Sequence, residues 1–145
     1  MEYQEWENQV PESMKIDSVW KVTAYRQALF LSDLCWNDIS LVLKDERTVS
    51  IASQLNRAVG SIGANITEGY SRSTGKDRAL FYQYALGSAR ESRDWYYKCR
   101  RVLGENVFIH RIELISLIVR LLVKMIPQQR GYLVREDQTP YENEG

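Results

Sequence analysis

The sequence predicts an all-α protein and, within that class, an antiparallel four-helix bundle. Four long segments repeat apolar residues at intervals of three and four, and no segment alternates apolar and polar residues as a strand would. The chain has 145 residues, 44% of them hydrophobic, which is enough to bury one continuous core. Segments of about 25 residues joined by short polar connections favour antiparallel neighbours.

The first two predicted helices are separated by a short polar turn. The first runs from Asp17 to Lys44, with Asp17 as its N-cap. The second runs from Thr48 to Glu68 and carries a single apolar stripe. We expect Gly69 to end it in the left-handed conformation that glycine adopts at helix ends.

The third and fourth predicted helices occupy the second half of the chain. The third starts near Lys76, after Ser73 or Thr74 as N-cap, and ends near Gly104. The fourth starts at Glu105 or Asn106 and extends to about Ile126. Pro127 should stop it, because proline lacks the amide hydrogen that the next helical turn requires.

The chain divides into a bundle and two acidic ends. We expect an acidic N-terminal arm at residues 1–16, the bundle at 17–130 and an acidic C-terminal tail at 131–145, with both ends lying outside the bundle. Residues 47–104 carry ten basic and four acidic residues, a net charge of +6, whereas the last ten residues carry −4. Charge asymmetry of this kind concerns binding partners rather than fold.

Signals for membranes, secretion and metals are missing from the sequence. Arg120 and Lys124 interrupt the most apolar run, and the acidic N-terminus does not read as a signal peptide. Cys35 and Cys99 lie far apart and outside any C-x-x-C motif, so neither a disulfide nor a zinc site is indicated. We predict a cytoplasmic protein with reduced thiols, no cofactor, no metal and no membrane contact.

The fourth predicted helix has more apolar surface than one core-facing side needs. Its polar positions form a narrow stripe of His110, Glu113, Ser116, Arg120 and Lys124. An apolar face of this width favours a partner, most simply a second copy of the chain. The alternative is that this helix lies centrally in the bundle.

The outer face of the second predicted helix combines small and polar residues. Arg57, Ser61 and Glu68 form a row with Ala64, and Gln54 and Asn65 flank it. Interior glycines are costly in a helix, by about 1 kcal/mol each relative to alanine. Gly60 and Gly63 therefore predict close approach of another backbone, with the polar row needing specific partners there. The alternative is a solvated outer face.

Two linked motifs resemble those of a known family. The stretch SQLNRAVGSIGANITEGYSR, followed by FYQYALGSARES, is similar to the 23S rRNA intervening sequence proteins, also called the four-helix bundle protein family. The matching residues are Gln54, Leu55, Arg57, Ala58, Ser61, Ile62, Asn65, Ile66, Glu68, Gly69, Phe81, Ala85, Gly87, Ser88 and Glu91. The chain departs from the pattern at LKDERTVS, where the family often has proline and glutamate, and at Thr67, where alanine is usual.

The resemblance implies a non-enzymatic, cytoplasmic bacterial protein, encoded within a ribosomal RNA gene insertion or by a free-standing gene. Related accessory proteins of diversity-generating retroelements form pentameric barrels that bind a reverse transcriptase and nucleic acid. It therefore implies a homo-oligomer, by analogy a pentamer, with RNA, DNA or a reverse transcriptase as partner. The residues expected at helix–helix or subunit contacts are Gln54, Arg57, Ser61, Asn65, Glu68, Gly69, Ser88 and Glu91.

A basic stripe on the third helix predicts a nucleic-acid surface. It comprises Arg90, Arg93, Tyr97, Arg100 and Arg101, with Arg72, Lys76 and Arg78 extending it around the preceding turn. Cations beside an exposed aromatic ring suit phosphate contact together with base stacking. The alternatives are a solvated face with ion pairs to Asp94, or a surface for an acidic protein.

Enzymatic functions lack the residues that they require. His110 is the single histidine, whereas a di-iron bundle needs paired Glu-x-x-His motifs. The arginines nearest before His110 are too far away for the motif of HEPN ribonucleases, and no glycine-rich phosphate loop occurs. We predict a non-enzymatic homo-oligomeric adaptor that binds structured RNA or an RNA–protein complex; the alternative is a purely protein-binding scaffold.

Overall fold

The structure, a computed structural model, describes residues 1–138, with side chains through Gly131. Its helices in chain order are α1 (Tyr3–Gln9), α2 (Glu12–Lys15), a 3-10 helix (Ser18–Lys21), α3 (Thr23–Val42), α4 (Val49–Tyr70), α5 (Gly75–Lys98), α6 (Arg100–Leu103) and α7 (Glu105–Gln138). No strand occurs among these residues, so the all-α class is confirmed.

Four long helices enclose one core, and consecutive members pack side by side. Gly63 of α4 faces Ala28 of α3, and Gly69 of α4 faces Phe81 of α5. Arg93 of α5 reaches Ser116 of α7. Residues that precede one turn thus meet residues that follow it, a pairing compatible with an antiparallel four-helix bundle. The largest fully buried side chains are Tyr82, Tyr96, Leu31, Leu55, Ile62, Ile66, Ile115, Ile118 and Leu122.

The first long helix starts later than the sequence predicts. Asp17 does act as a cap, but of the short 3-10 helix, where its carboxylate accepts the Val19 amide at 2.9 Å. Val22 then adopts an extended conformation and α3 begins at Thr23. The change of direction at Val22 separates the two elements.

The sequence predicts that the N-terminal segment lies outside the bundle, but in the structure this segment packs against it. Trp6 of α1 is 4% exposed. Its indole nitrogen donates to the Asp33 carboxylate at 2.6 Å, and its ring stacks on Trp20 and packs against Phe30. Burial of a tryptophan side chain outweighs the acidic composition of residues 1–16.

The prediction that Gly69 is a left-handed cap is wrong. Gly69 lies inside α4, and Gly104, with φ 86°, is the one residue of the described chain at positive φ. A Cβ on Gly69 would lie 2.9 Å from the Cβ of Phe81, so glycine is needed for close approach of α5. The cap expected at the start of α5 is confirmed, because the Thr74 hydroxyl accepts the Asp77 amide.

The last two helix boundaries also differ from the prediction. The third predicted helix is interrupted at Cys99, after which the short α6 leads to Gly104. Helix α7 does not stop at Pro127 but continues to Gln138. Ile126 is buried, and we attribute the continuation to this packing, which compensates for the hydrogen bond that proline cannot make. The final part of the predicted tail, residues 139–145, lies outside the described region.

The wide apolar face of the fourth predicted helix is largely used within the chain. Helix α7 packs against both α3 and α5. This central position, and not a second copy of the chain, accounts for most of its apolar face. Its buried residues are Leu114, Ile115, Ile118, Val119, Leu122 and Ile126. Ile109 and Val123 remain 43% and 48% exposed, so only a small apolar surface is left over.

Candidate functional site

The eight residues of the predicted nucleic-acid surface are distributed along the whole of α5. This helix has 24 residues, about 36 Å at 1.5 Å per residue. Arg72, Lys76 and Arg78 lie at its start, whereas Tyr97 lies at its end and Arg100 and Arg101 follow in α6. Arg90 and Arg93 fall between the two groups. The structure therefore does not bring these residues together into one compact patch.

The group at the start of α5 mainly holds the α4–α5 turn. Arg72 donates to the Glu68 carboxylate at 2.6 Å, and its guanidinium lies 4.5 Å from the centre of the Phe81 ring. Arg78 donates through Nε to the Arg72 carbonyl at 2.9 Å. Lys76 is exposed and has no salt bridge to any described residue. Of this group, Lys76 is the side chain most available to a ligand.

The group at the end of α5 contains an exposed aromatic ring stacked with an arginine. The Arg100 guanidinium lies 4.0 Å from the centre of the Tyr97 ring, and its Nη1 donates to the Tyr97 carbonyl at 2.9 Å. Tyr97 is 53% exposed and meets Phe108 edge-on at 6.1 Å between ring centres. Arg101 is exposed beside this pair. We call Tyr97, Arg100 and Arg101 the α5–α6 platform.

The middle of the predicted stripe is less basic than the sequence indicated. Arg93 is half-buried and donates to the Ser116 hydroxyl at 3.2 Å, so it faces α7. Asp94 forms an ion pair with Lys98 at 2.7 Å. Arg90 is exposed and makes no salt bridge within the described chain. Of the eight residues of the predicted surface, the exposed cations without an ion pair to a described residue are thus Lys76, Arg90 and Arg101.

Most residues expected at helix–helix or subunit contacts reach the surface along α4 and α5. Arg57, Glu68 and Glu91 are exposed, while Gln54, Ser61, Asn65 and Ser88 are half-buried and Gly69 is fully enclosed. Gly69 of α4 faces Phe81 of α5, and the two helices run in opposite directions. Ser61, eight residues before Gly69, therefore lies at the same height along the bundle as Ala89, eight residues after Phe81 and next to Ser88. The two motifs therefore line one seam between α4 and α5.

Hydrogen bonds along this seam stay within each helix. Ser61 donates to the Arg57 carbonyl at 2.8 Å, and Asn65 donates to the Ser61 carbonyl at 2.9 Å. On α5, Trp95 donates to the Glu91 carboxylate at 3.0 Å. Gly60 has no heavy atom within 4 Å of where a Cβ would stand. In the described part of the chain, no neighbouring backbone accounts for the small residue at this position.

A buried charged network links three helices and was not predicted from the sequence. Asp38 of α3 is 3% exposed; its Oδ2 accepts the Tyr96 hydroxyl at 2.7 Å and Arg111 Nε at 2.7 Å. Its Oδ1 accepts Arg111 Nη2 at 3.1 Å. Burial and the nearby carboxylate raise the pKa of Tyr96, so the phenol remains a donor. A sequence signal existed, because Asp38 interrupts the apolar stripe three residues after Cys35 and four before Val42.

Two thiols and the histidine lie near the network, and burial shifts the pKa of each. Burial raises the pKa of the Cys35 thiol and of the Cys99 thiol to about 11, which keeps both protonated and unreactive. Burial lowers the pKa of His110, and Arg111 acts in the same direction. Arg111 Nη1 lies 2.7 Å from His110 Nδ1, which suits the neutral imidazole as acceptor. Among the side chains that the structure describes, no three of His, Cys, Asp or Glu are grouped to hold a metal.

Comparison with known proteins identifies the family. A model of the 23S rRNA-intervening sequence proteins matches residues 21–124, which include all of α3, α4, α5 and α6 and the part of α7 up to residue 124. The chain belongs to this family. The resemblance found in the motifs of α4 and α5 is thereby confirmed, and both motifs lie within the matched part of this 23S rRNA-intervening sequence protein.

A solved structure shares the fold of this family member. It is a crystal structure of a protein with unknown function from the S23 ribosomal protein family of Bacteroides thetaiotaomicron. The two are 21% identical with a TM-score of 0.66, over 72% of this chain and 98% of the other. No curated protein matches the chain. None of the helices in the described region is long and apolar enough to cross a membrane.

Proposed function

We propose that this 23S rRNA-intervening sequence protein is a non-enzymatic adaptor that associates with further copies of itself and binds nucleic acid. Structured RNA, free or in a complex with a protein such as a reverse transcriptase, is the proposed ligand. The contact surface is the exposed side of α5 and α6, from Lys76 through Arg90 to the α5–α6 platform.

The α5–α6 platform is the observation that carries this proposal. A guanidinium 4.0 Å over a half-exposed tyrosine ring presents a flat surface with a positive charge. Nucleic-acid bases stack on such surfaces at about 1–3 kcal/mol per base, and nearby arginines neutralise phosphates. Arg101 beside the pair and Arg90 about two turns earlier on α5 supply those charges.

Three arginines of the predicted surface, Arg72, Arg78 and Arg93, make hydrogen bonds within the chain and stabilise the helices that carry the proposed contact surface. Arg72 and Arg78 fix the α4–α5 turn, and Arg93 joins α5 to α7. Replacing them would disturb packing as well as charge, so they are unsuitable as probes of binding. The exposed cations are better probes, because their side chains make no ion pair in the described part of the chain.

RNA binding is tested by fluorescence anisotropy of a labelled structured RNA at several salt concentrations. The variant Arg90→Gln/Arg101→Gln is compared with Lys21→Gln/Lys44→Gln, which removes two exposed charges elsewhere. We expect wild type and control to bind alike. The test variant should bind more weakly, and its plot of log affinity against log salt should be less steep by about 1.5 for two phosphate contacts. Equal binding by all three proteins would contradict the proposal.

A second candidate function is a protein scaffold without nucleic-acid contact. It is favoured by an apolar groove of about 400 Å³ between α3 and α4, where Trp36 is 79% exposed and Leu43 is 53% exposed. Ile39 and Ala52 also line this groove, and none of its lining residues is charged. An uncharged groove with an exposed tryptophan suits contact with another apolar surface, such as that of a second copy.

Sedimentation velocity of wild type and Trp36→Ser separates the two candidates. For the scaffold, loss of the tryptophan should shift the protein towards the 16.9 kDa monomer, and RNA should not change sedimentation at physiological salt. For the nucleic-acid adaptor, RNA should co-sediment with wild type. An assembly of five copies, as in the related retroelement proteins, would have a mass of about 85 kDa, five times 16.9 kDa.

A further inference from the structure

A cavity of about 330 Å³ lies at the end of the bundle opposite the α5–α6 platform. It is formed where α3 begins, α4 ends, α5 begins and α7 passes residue 124. Apolar residues of α3 and α7 line part of it, and its polar side chains are those of Thr23, Tyr70, Tyr82, Arg78, Lys124, Gln128 and Gln129. No aspartate or glutamate is among the described residues that line it. Among the described lining residues, the two cations therefore have no compensating acid.

The start of α3 offers unpaired backbone donors to this cavity. The N-cap residue is Val22, whose side chain cannot accept a hydrogen bond. The amides of Tyr25 and Arg26 bond to the Val22 carbonyl, but those of Thr23 and Ala24 have no acceptor in the described part of the chain. A helix of 20 residues also places a partial positive charge at this end. Free amides at a helix start are a common anion-binding feature.

A buried hydroxyl on the opposite wall points to a ligand independently. Tyr82 is 2% exposed, lines the same cavity and makes no hydrogen bond to a described residue. Among the residues that the structure describes, Arg72 Nε is the one fully enclosed side-chain nitrogen or oxygen without a partner, so the Tyr82 hydroxyl does not count as enclosed. The hydroxyl of this otherwise buried residue must therefore reach open space. The cavity is the open space that the residue contacts.

Two cations with nitrogens that no described acceptor occupies line the same cavity, and the guanidinium of Arg78 lies 5.6 Å from the centre of the Tyr70 ring. Arg78 uses Nε for the Arg72 carbonyl, which leaves its two terminal nitrogens without a described acceptor. Lys124 is exposed and makes no salt bridge within the described residues. Burial raises the pKa of the Tyr82 phenol, whereas the positive charge of Arg78 opposes that change. The phenol is thus a hydrogen-bond donor at neutral pH.

We propose that this cavity binds a phosphate group. Backbone amides of Thr23 and Ala24, the Tyr82 hydroxyl and the charges of Arg78 and Lys124 would surround its oxygens. The volume of about 330 Å³ exceeds that of phosphate alone and lies within the range of ordinary ligand pockets. The phosphate therefore either binds as a free small molecule or belongs to a larger one, such as a mononucleotide or the 5′ end of an RNA. This site is separate from the α5–α6 platform and does not depend on self-association.

The Thr23→Pro variant removes one proposed donor at the cost of one exposed hydrogen bond, which Arg26 Nη2 donates to the Thr23 hydroxyl at 3.3 Å. Thr23 is the first residue of α3, where proline is well tolerated because the amide makes no helical bond there. Val22 before it has φ −80° and ψ 107°, the extended conformation that proline requires of its predecessor. Tyr82→Phe removes the hydroxyl and keeps the ring, and Lys124→Gln removes one charge. Lys21→Gln is the control, an exposed cation that does not line the cavity.

Isothermal titration calorimetry at constant ionic strength tests the site. The probes are inorganic phosphate, adenosine monophosphate and one short RNA, which is prepared in two forms, with a 5′-phosphate and with a 5′-hydroxyl. We expect saturable binding of at least one phosphate-bearing probe, weakened at least fivefold by each cavity variant and unchanged by Lys21→Gln. Binding of phosphate and mononucleotide alone indicates a free small ligand. A preference for the 5′-phosphorylated RNA indicates an RNA end.

The proposal is wrong if no phosphate-bearing probe binds at millimolar concentration, or if binding is equal in wild type, Thr23→Pro and Tyr82→Phe. Circular dichroism melting of each variant shows whether it folds, and Thr23→Pro provides the decisive comparison if Tyr82→Phe is unstable. Failure here leaves RNA binding at the α5–α6 platform intact, because Arg90→Gln/Arg101→Gln does not alter the cavity.

Discussion

Replacing one member of the buried network at Asp38 should strongly destabilise the protein. The Asp38 carboxylate accepts three hydrogen bonds, one from Tyr96 and two from Arg111. The change Asp38→Leu leaves the Arg111 guanidinium without its counter-charge and the Tyr96 hydroxyl buried without a partner. Breaking a buried ion pair by removing one member costs about 3–5 kcal/mol. We therefore expect a loss of at least 3 kcal/mol in the free energy of unfolding.

A double-mutant cycle isolates the interaction itself. Arg111→Met alone leaves a carboxylate that is 3% exposed without its guanidinium, and should cost a similar amount. Asp38→Leu/Arg111→Met replaces both charges with apolar side chains and leaves only the Tyr96 hydroxyl unpaired, at about 1–3 kcal/mol. The double variant should thus be more stable than the sum of the single changes predicts, by roughly 3 kcal/mol or more.

Urea unfolding followed by circular dichroism measures each corner of this cycle, with equal slopes confirming a common unfolding transition. Adding Tyr96→Phe to the double variant should restore stability, because it removes the unpaired hydroxyl. The account would be refuted by single variants that lose less than about 1 kcal/mol, or by additive losses in the double variant. Either result would mean that the network is solvated or not formed.

Three further predictions concern glycines, thiols and pH. Gly69→Ala should lower stability by about 1–3 kcal/mol in urea unfolding, because the added Cβ would lie 2.9 Å from a side chain of α5. Gly60→Ala, with nothing within 4 Å, should instead raise it by about 0.5–1 kcal/mol. Cys35 and Cys99 should react with a thiol reagent at pH 8 only after unfolding, because burial raises each pKa to about 11. For His110, burial and a neighbouring guanidinium lower the pKa in the folded state. The unfolded chain then binds more protons, so stability should rise with pH between about 5 and 7, and His110→Gln should remove that rise.

Each of these predictions has a contrary result. Equal effects of alanine at the two glycines would mean that α4 and α5 do not approach closely at Gly69. Rapid labelling of both thiols in the native protein would place them at the surface. A pH dependence between 5 and 7 that survives in His110→Gln would have to come from another group, although the chain has no second histidine.

The sequence predicted the long helices well because their apolar periodicity is strong. It also predicted the cap at Thr74, which depends only on local chemistry. Local rules failed where tertiary packing decides the outcome. Gly69 looks like a helix end by composition, yet α5 packs against it. Pro127 looks like a stop, yet α7 continues through it with Ile126 buried beside it. Trp6 was overlooked within an acidic stretch, although it packs into the core.

The sequence predicted which residues belong to the candidate nucleic-acid surface, but it did not predict how they are arranged in space. Spacing on a helix shows that Arg93 and Arg101 lie outside the apolar stripe, but it does not show that Arg93 bonds to Ser116 on another helix. Nor does it show that Arg100, which follows the break in the helix at Cys99, stacks on Tyr97. Contacts between side chains of different helices depend on how the helices are placed relative to each other, and the residue spacing within one helix does not contain that information. The cavity at Thr23 was missed for the same reason, since four separate elements form it.

Size-exclusion chromatography with light scattering, run with and without a structured RNA at physiological salt, tests the adaptor proposal most directly. It predicts a protein mass that is a multiple of 16.9 kDa and a heavier peak containing both protein and RNA. The Arg90→Gln/Arg101→Gln variant should keep the protein mass and lose the RNA. A single species of 16.9 kDa that elutes apart from RNA would contradict both self-association and nucleic-acid binding.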